Sequence, residues 1–369
     1  MNRMKLGEIL SVKHGWAFKG EYFAEDGEQS ILTPGNFFEK GGFKPNNGKE
    51  RYYTGTYPKE YLCHKGDLIV AMTQQAEGLL GSTALVPENN KYLHNQRIGL
   101  ITCDEKRLNK LFAYYLFMTK SVREQLERSS SGTKVKHTSP EKIYDVEVEI
   151  SDVISQQKIA NLLWAIDEKI ANNNAINDNL EQQMHLIFEN MMAKAATHKL
   201  SGEYTIAQNL ATVVTGKEDA NFSVPNGKYK FFTCSNTPLS CDEYVFDSSS
   251  ILIAGNGDFN VKHYSGKFNA YQRTYVLTPD KKYFGLLYLA SLYRINSFKS
   301  RSSGSIVKFI TKSDVENIPV FIPNDRFYLQ ELNKLIYLQE QNKLENELLV
   351  NLRDWLLPML MNGQATISD

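Results

Sequence analysis

A long heptad pattern of apolar residues runs from Val153 to Met191, uninterrupted by glycine or proline. Residues seven apart occupy the positions of a coiled-coil seam: Ile159, Ile166, Asn173, Leu180 and Ile187. At 1.5 Å per residue, about forty residues make a helix of about 60 Å, too long for the core of one compact domain. The pattern predicts a helical spacer between two bodies, capped at its start by Asp152 and Ser155.

A second helical stretch, Phe327 to Met361, repeats part of this register. Subtracting 172 from its numbers places Leu352 on Leu180 and Asn346 on Asn174, although other polar positions do not match. We interpret the two stretches as an intramolecular antiparallel pair, in which Asn173 fixes register and partner. The alternative is two independent surface helices.

The segments on either side of the first long helix repeat one order of elements. In the first half the order is strand 65–72, strand 97–102, helix 110–127, Gly/Ser loop 129–136 and strand 145–150. In the second half it is strand 250–254, strand 274–278, helix 283–298, Gly/Ser loop 301–308 and strand 318–320. An offset of 172 holds from the loop through the last strand, so coincidence of common residue types is a weak alternative.

These patterns predict an α+β protein with two structurally repeated mixed α/β globular domains. Two long helices that form an antiparallel coiled coil separate the domains, with pseudo-two-fold symmetry. The predicted divisions are a first globular domain at 1–150, a central helix at 151–198, a second globular domain at 199–325 and a C-terminal helix at 326–369.

Two like domains on a rigid spacer suit two targets at a fixed separation. B-DNA presents the same groove face about every 34 Å, so one duplex can meet both domains. Each Gly/Ser loop carries hydroxyls, amides and cations, the usual partners of phosphates. The loop candidates are Ser131, Gly132, Thr133, Lys134, Lys136, Arg301, Ser303, Gly304, Ser305 and Lys308. The alternative for both loops is a solvated helix-to-strand connection.

Each domain also holds a Gln-Arg pair before a strand, which suits direct base reading. Arginine can bond guanine O6 and N7 together, and glutamine can pair with adenine. The base-reading candidates are Gln96, Arg97, Gln272 and Arg273, with Gln74, Gln75, Asn256, Asp258 and Tyr271 in nearby loops and Lys13, His14 and Lys19 near the first turn. The alternative for the arginines is packing at a strand start, and for the others an ordinary surface.

Composition narrows the class of protein further. The 369 residues have a formal net charge of +0, so any basic DNA-binding face must be local. The four cysteines form no C-x-x-C pair, and no P-loop, G-x-G-x-x-G or metal-ligand spacing occurs. No stretch approaches 18 apolar residues and the first residues are no signal peptide. We therefore expect a cytoplasmic protein without catalytic residues, metal or membrane segment.

Two stretches resemble type I restriction–modification specificity subunits. Gln-Gln-Lys-Ile-Ala-Asn-Leu-Leu (156–163), Ile-Asp-Glu-Lys-Ile (166–170) and Asn-Leu-Glu-Gln-Gln (179–183) are similar to the central conserved region of that family. Asn-Leu-Arg-Asp-Trp-Leu-Leu-Pro-Met-Leu-Met-Asn-Gly-Gln (351–364) is similar to its C-terminal conserved region. With the repeat, the resemblance covers essentially the whole chain.

The resemblance implies a non-catalytic subunit of a methyltransferase and endonuclease complex in antiviral defence. Each globular domain would read one half of a bipartite, asymmetric site on double-stranded DNA, and the helix pair would set the spacer. Two modification (methyltransferase) subunits would bring S-adenosylmethionine and methylate adenine. Restriction (translocase–nuclease) subunits, with ATP and Mg, would cleave unmodified DNA. The alternatives are a coiled-coil scaffold that binds only proteins, or an enzyme with an unrecognised site.

Overall fold

Two compact units make up the chain in the computed structural model. It describes residues 1–46, 48–132, 135–257, 259–301 and 309–367, of which 299–301 are described by backbone alone. The first unit contains Met1–Lys169 and Leu348–Asp369, and the second contains Ile170–Glu347. The four-part division made from the sequence stays a prediction.

The described residues of the first unit form three small sheets. Its strands are β1 (Asn2–Lys5), β2 (Leu10–His14), β3 (Phe23–Ala24), β4 (Ser30–Ile31), β5 (Tyr52–Tyr53), β6 (Leu68–Ala71), β7 (Thr83–Leu85), β8 (Tyr92–Leu93), β9 (Ile98–Cys103) and β10 (Glu147–Ile150). The sheet orders are β1-β10, β2-β9-β6-β7 and β3-β5-β4-β8. Its helices are α1 (Lys110–Leu116), α2 (Lys120–Ser129), α3 (Pro140–Tyr144), the first part of α4 (Val153–Ala196) and the last part of α7 (Arg326–Met361).

Two sheets occur in the part of the second unit that the structure describes. Its strands are β11 (Gly202–Ile206), β12 (Ala211–Thr215), β13 (Tyr229–Phe232), β14 (Leu239–Cys241), β15 (Phe246–Ala254), β16 (Val261–Ala270), β17 (Thr274–Pro279) and β18 (Pro319–Pro323). The sheet orders are β11-β18 and β12-β17-β15-β16-β13-β14. Its helices are the rest of α4, α5 (Phe284–Arg301), α6 (Lys312–Glu316) and the first part of α7 (Arg326–Met361).

The two units repeat one topology, which confirms the prediction of two related α+β domains. The strand order β2-β9-β6-β7 of the first corresponds to β12-β17-β15-β16 of the second, and each domain joins its first strand to its last. The N-cap residue of the short helix before the last strand is Ser139 in one domain and Thr311, 172 residues later, in the other. In both, the hydroxyl oxygen accepts a hydrogen bond from a backbone N–H of the first turn and caps the helix.

The helix predicted over 110–127 is two helices in the structure. Asn109 caps α1, and Thr119 caps α2 by accepting a hydrogen bond from the Val122 backbone N–H. Each cap satisfies a backbone donor that a helix start leaves unpaired, so a second start is stable within the stretch. The second domain has one uninterrupted helix, α5, at the same place.

Each globular domain packs on the long helices of its own unit. In the first unit Ile159, Ala160 and Leu163 of α4 join the core formed around α1. In the second, Met184 and Phe188 of α4 join the core formed around α5. Fully burying a side chain of this size stabilises by about 1.5–3 kcal/mol, so these contacts hold helix and domain together.

Polar residues join α4 and α7 in the second unit. The Asn173 amide, on a side chain that is 1% exposed, donates to Glu345 Oε2 at 2.8 Å and to Asn346 Oδ1 at 2.9 Å. Asn177 accepts from Asn342, and Lys194 donates to Tyr328, so the contact order runs in opposite directions on the two helices. The predicted antiparallel pairing is therefore confirmed within this unit.

Four apolar side chains of α7 face solvent instead of a helix seam. Leu344, Leu348, Leu352 and Trp355 are 54%, 64%, 44% and 60% exposed. Their spacing of three and four residues places them on one face of the helix. The sequence comparison had set Leu352 on Leu180, but Leu180 is buried, so the repeated register does not give repeated burial.

The ends of α4 show how the sequence sets its length. The predicted cap at Asp152 is confirmed, because its carboxylate accepts from the Ser155 backbone N–H at 3.0 Å and the Ser155 hydroxyl at 2.7 Å. At the other end His198 has φ 55°, and the next residue, Lys199, donates its N–H to the Lys194 carbonyl at 2.8 Å. A left-handed residue closes many helices, and it is usually glycine.

His198→Gly is expected to stabilise the protein by about 0.5–1 kcal/mol, because glycine adopts positive φ without a Cβ clash. Denaturant unfolding of the full chain measures the change. The matched control is Thr197→Gly, one residue earlier, where φ is not positive and glycine is expected to destabilise. Equal effects of the two substitutions would contradict this account of the helix end.

Candidate nucleic-acid interface

An open cleft in the first domain brings together three residues predicted to read bases. Gln75, Gln96 and Arg97 line it, and all three side chains are exposed. The other polar residues that line the cleft are Thr33, Asn46, Lys49, Arg51 and Asn95. Amide and guanidinium groups therefore converge on one surface large enough to accept a ligand from solvent.

A rigid turn holds Gln96 and Arg97 at the cleft. The Gln96 N–H donates to the Trp16 carbonyl at 3.2 Å, and the Trp16 N–H donates to the His94 carbonyl at 2.8 Å. Below the turn, the buried His94 ring contacts the Ile98 carbonyl through Nε2 at 2.8 Å. Because the backbone groups are engaged within the domain, both side chains are left to face solvent.

The cations of the cleft have no acidic partners in the described ranges. Lys49, Arg51 and Arg97 are exposed and make no salt bridge there. By contrast, Lys13 is 3.4 Å from Glu60, with its ammonium 4.2 Å from the Tyr61 ring centre. Unpaired cations beside amides suit a polyanion whose phosphates need charge and whose base edges need hydrogen bonds.

Lys49, Arg51 and a nearby turn were missed from the sequence. The turn is Leu-Thr-Pro-Gly-Asn (32–36), in which Asn36 is 2% exposed and accepts from the Thr33 N–H at 2.8 Å. A signal did exist, because Phe-Thr-Cys-Ser-Asn (232–236) follows 200 residues later. The offset there differs from 172, since the segments between the strands have different lengths.

The second domain builds the same pair of turns. The Gln272 N–H donates to the Glu218 carbonyl at 2.8 Å, and the Tyr271 N–H donates to the Phe232 carbonyl at 2.9 Å. Cys234 contacts the Arg273 carbonyl through Sγ at 3.5 Å. The Gln272-Arg273 turn thus lies beside the 232–236 turn, with both Gln272 and Arg273 exposed.

A half-buried lysine supports this second turn. Lys262 donates through Nζ to the Thr233 carbonyl at 3.3 Å and to the Ser235 carbonyl, and Asn260 donates to the Cys234 carbonyl at 2.8 Å. Burial lowers the pKa of Lys262 below its ordinary value. Lys262 therefore brings positive charge close to the turn while it fixes the backbone there.

Other predicted residues of the first domain lie in less available positions. Gln74 lines a different pocket, and its N–H donates to the Lys136 carbonyl at 2.9 Å. His14 contacts the Gln96 carbonyl through Nδ1 at 3.3 Å, so it supports the reading turn. Lys19 is 4.0 Å from the Glu21 carboxylate. Their assignment to DNA stays a prediction.

The first Gly/Ser loop is partly fixed within the domain. Ser131 pairs with His137, and Lys136 forms an ion pair with Glu127. Gly132 has φ 100°, and a Cβ there would lie 2.1 Å from the Val135 carbonyl oxygen, so the turn requires glycine. Thr133 and Lys134 lie outside the described residues.

The second Gly/Ser loop is largely outside the described residues. Ser303, Gly304, Ser305 and Lys308 fall there, as does Asp258, and only the backbone of Arg301 is described. Asn256 forms a bridge with Phe309, the counterpart of the bridge between Thr73 and His137. The phosphate-binding role of both loops stays a prediction.

Among the described residues, no group of three or more His, Cys, Asp or Glu side chains could hold a metal ion. No described helix has the length and apolar character needed to span a bilayer. The four cysteines are free thiols.

The two repeated domains, each with an exposed Gln-Arg turn, define a class of two-domain proteins, and comparison with known proteins gives the family. Residues 1–182 and 210–351 match the type I restriction modification DNA specificity domain. These matches cover most of the chain, so the chain belongs to this family. The resemblance stated from the helical motifs is confirmed.

Two individual relatives match shorter parts of this chain than the family model does. The chain is 36% identical over 164 residues to the type I restriction enzyme EcoDI specificity subunit of Escherichia coli, a match of 42% of this chain. It is 21% identical over 168 residues to the type I restriction enzyme MjaVIII specificity subunit of Methanocaldococcus jannaschii, a match of 45% of this chain. The matches span 37% and 39% of these relatives' own lengths.

A solved structure shares the fold. The type-I restriction-modification S subunit from M. genitalium superposes with a TM-score of 0.64 at 18% identity, over 100% of this chain and 96% of that chain. At this identity the likeness concerns the fold alone.

Proposed function

We propose that the chain is the DNA-specificity subunit of a type I restriction–modification complex. Each domain reads one half of a bipartite, asymmetric site on double-stranded DNA, and α4 and α7 set the spacer between the halves. The observation that carries this proposal is the recurrence, in both domains, of an exposed Gln-Arg turn beside a second turn of Thr-x-x-Asn sequence.

Differences between the two sites support unlike half-sites. Lys49 and Arg51 line the cleft of the first domain, whereas Lys262 supports the turn of the second. Arginine forks and amides read major-groove edges, and their identity and placement decide which base is accepted. Two domains with different polar residues on one backbone plan therefore read different sequences.

The chain itself does no chemistry in this proposal. Two modification subunits supply S-adenosylmethionine chemistry and methylate adenine, and restriction subunits supply ATP- and Mg-dependent cleavage. The exposed apolar stripe of α7, formed by Leu344, Leu348, Leu352 and Trp355, supports a protein partner, because apolar surface of this kind marks interaction sites. The complex works in the cytoplasm on unmodified DNA.

The test is binding to the site found by methylation mapping of DNA from cells that carry the intact system. Complex assembled with the modification subunits is expected to bind this duplex, to lose specificity when either half is scrambled, and to weaken steeply with salt as counterions are released. A complex that binds the scrambled duplexes equally well would overturn the proposal.

Trp355→Glu is expected to weaken association with the modification subunits at least tenfold, because buried aromatic residues dominate interface energy. Isothermal titration or co-purification measures the loss. The matched control is Phe327→Glu near the start of the same helix, where the side chain is 54% exposed but far from the stripe along the helix. Equal losses in both variants would show that the stripe is not the docking surface.

A further inference from the structure

A buried polar group joins the sheet of the second domain to the long helices of the same unit. His263 projects from β16, and its side chain is 2% exposed. Its Nδ1 is 3.0 Å from Glu340 Oε1, and its Nε2 is 2.9 Å from Gln339 Oε1. Lys343 Nζ is also 3.4 Å from Nε2, and all three residues lie on α7, so one imidazole ring ties the sheet to that helix.

The network continues from α7 to α4. Gln339, which is 5% exposed, donates through Nε2 to the Asn177 carbonyl at 3.3 Å and to Glu181 Oε2 at 3.0 Å. Glu181 also accepts from the Tyr288 hydroxyl at 3.2 Å. The sheet, the recognition-domain helix α5 and both long helices therefore meet in one set of hydrogen bonds.

Charged side chains lie close together in this network. Burial raises the pKa of Glu340, but hydrogen bonds and charge from His263, with the Ser265 hydroxyl and Lys343, outweigh it, so the pKa lies below its ordinary value. Ser265 donates to both Glu340 carboxylate oxygens at 3.0 Å. Burial lowers the pKa of Lys343, whose ammonium is 3.3 Å from Gln339 Oε1.

Such a network specifies geometry more than it adds stability. Apolar side chains of similar volume often replace buried polar groups with little loss of stability, whereas polar groups bond in only a few relative orientations. An apolar contact at His263 would allow the sheet to slide or rotate on α7. The hydrogen bonds at both ring nitrogens allow one orientation.

The strand that carries His263 leads directly to the reading turn. β16 runs from Val261 to Ala270, and Tyr271, Gln272 and Arg273 follow at once. A strand rises about 3.3 Å per residue and is laterally bonded to its neighbours, so its orientation is passed to the turn. The angle of β16 on α7 therefore sets the direction in which Gln272 and Arg273 face.

Orientation matters because one added base pair both shifts and rotates a half-site. From a repeat of about 34–36 Å and 10–10.5 base pairs, one pair adds about 3.4 Å and about 35°. A protein that rejects such a change must hold its reading turn within a fraction of that rotation. A loosely packed domain would follow the rotated half-site and accept the wrong spacer.

We propose that His263, Gln339 and Glu340 are positioning residues that determine which spacer length the protein accepts. The proposal rests on the DNA-reading function above and adds a role for residues that do not touch DNA.

The experiment uses the chain assembled with its modification subunits. Duplexes carry the mapped half-sites with the native spacer or with one base pair added or removed, and adenine methylation is measured on each. The wild type is expected to methylate the native spacer at least a hundredfold faster than the altered ones. His263→Ala and Gln339→Leu are expected to reduce this ratio at least tenfold while half-site sequence preference is kept.

Two control variants separate positioning from a general loss of structure. Glu340→Gln keeps an oxygen that can accept from His263 and Ser265, and it is expected to retain most of the spacer preference. Ser250→Ala removes a buried hydroxyl that bonds Ser248 at 2.8 Å and Thr278 at 3.2 Å within the sheet, away from the helices. It is expected to lower the melting temperature without changing the spacer ratio.

A spacer ratio that stays at the wild-type value in His263→Ala and Gln339→Leu would overturn the inference, as would the same change in Ser250→Ala. Failure of the wild-type complex to prefer the mapped bipartite duplex over scrambled DNA would instead overturn the DNA-reading function itself. The result for the wild-type complex in the same assay therefore distinguishes the two failures.

Discussion

Arg97→Ala is expected to weaken binding to the cognate duplex by about 1–3 kcal/mol, or roughly 5- to 150-fold, and to relax selectivity at one or two base pairs of a single half-site. Arg97 is exposed, and its backbone carbonyl is held by the Met72 N–H at 3.0 Å. The turn therefore survives the substitution while the guanidinium is lost. Competition binding with single-base variants of the mapped site measures the effect.

The matched control for this prediction is Arg128→Ala. Arg128 is an exposed arginine of the same domain, but its guanidinium is 3.1 Å from the Glu124 carboxylate. A similar loss in both variants would indicate general electrostatic attraction rather than base reading. Arg97→Lys keeps the charge but not the fork, so it is expected to restore non-specific binding more than base selectivity.

Lowering the pH is expected to destabilise the first domain through His94. Burial, the main cause, and the nearby charges of Lys13 and His14 lower the pKa of His94 to about 4. Its Nδ1 is also buried and contacts no polar partner among the described residues. The folded protein therefore keeps this ring neutral where an exposed imidazole would take up a proton.

The sign follows from the two states. An unfolded histidine has a pKa of about 6.5, so between pH 6.5 and pH 4 the unfolded chain binds the extra proton and the folded chain does not. His94 leaves the free energy of unfolding unchanged above about pH 6.5 and lowers it as the pH drops toward 4. Since one pKa unit is worth about 1.4 kcal/mol, the loss through this group is about 3 kcal/mol.

Urea unfolding at several pH values between 7.5 and 4.5 tests this, with tryptophan fluorescence as the signal. The slope of unfolding free energy against pH is measured in the wild type and in His94→Gln, in which residue 94 cannot titrate. Other titratable groups contribute equally to both slopes, so the difference between the slopes reports His94. A wild-type slope in His94→Gln would contradict the assignment.

The sequence predicted the repeated elements and the long helices because hydrophobic periodicity and caps are local signals. It predicted the Gln-Arg turns because both domains repeat them. Lys49 and Arg51 were missed because the segment that carries them has no counterpart at the shared offset. The exposure of Leu348 and Leu352 was also not predicted. A heptad pattern shows that a helix has apolar positions, but it does not show which of them the paired helix covers.

Contacts between residues that are far apart in the sequence explain why other features of the structure were not predicted. Lys136 was predicted to contact phosphate, and its ion pair with Glu127 depends on how a loop folds back onto α2. Likewise, the role of His263 depends on two residues of α7 that lie more than seventy positions away. Contacts of this kind are set by tertiary packing, which no local pattern reports.

The pairing of the first and last strand in each domain has a consequence for how new specificities arise. Asn2 lies opposite Ile150, and Gly202 lies opposite Pro323, so each domain begins and ends at one place. A segment with adjacent ends can be exchanged for a homologous one without moving the chain on either side. Under the proposed function, exchange of one such segment would replace one half of the recognition sequence and leave the other half unchanged.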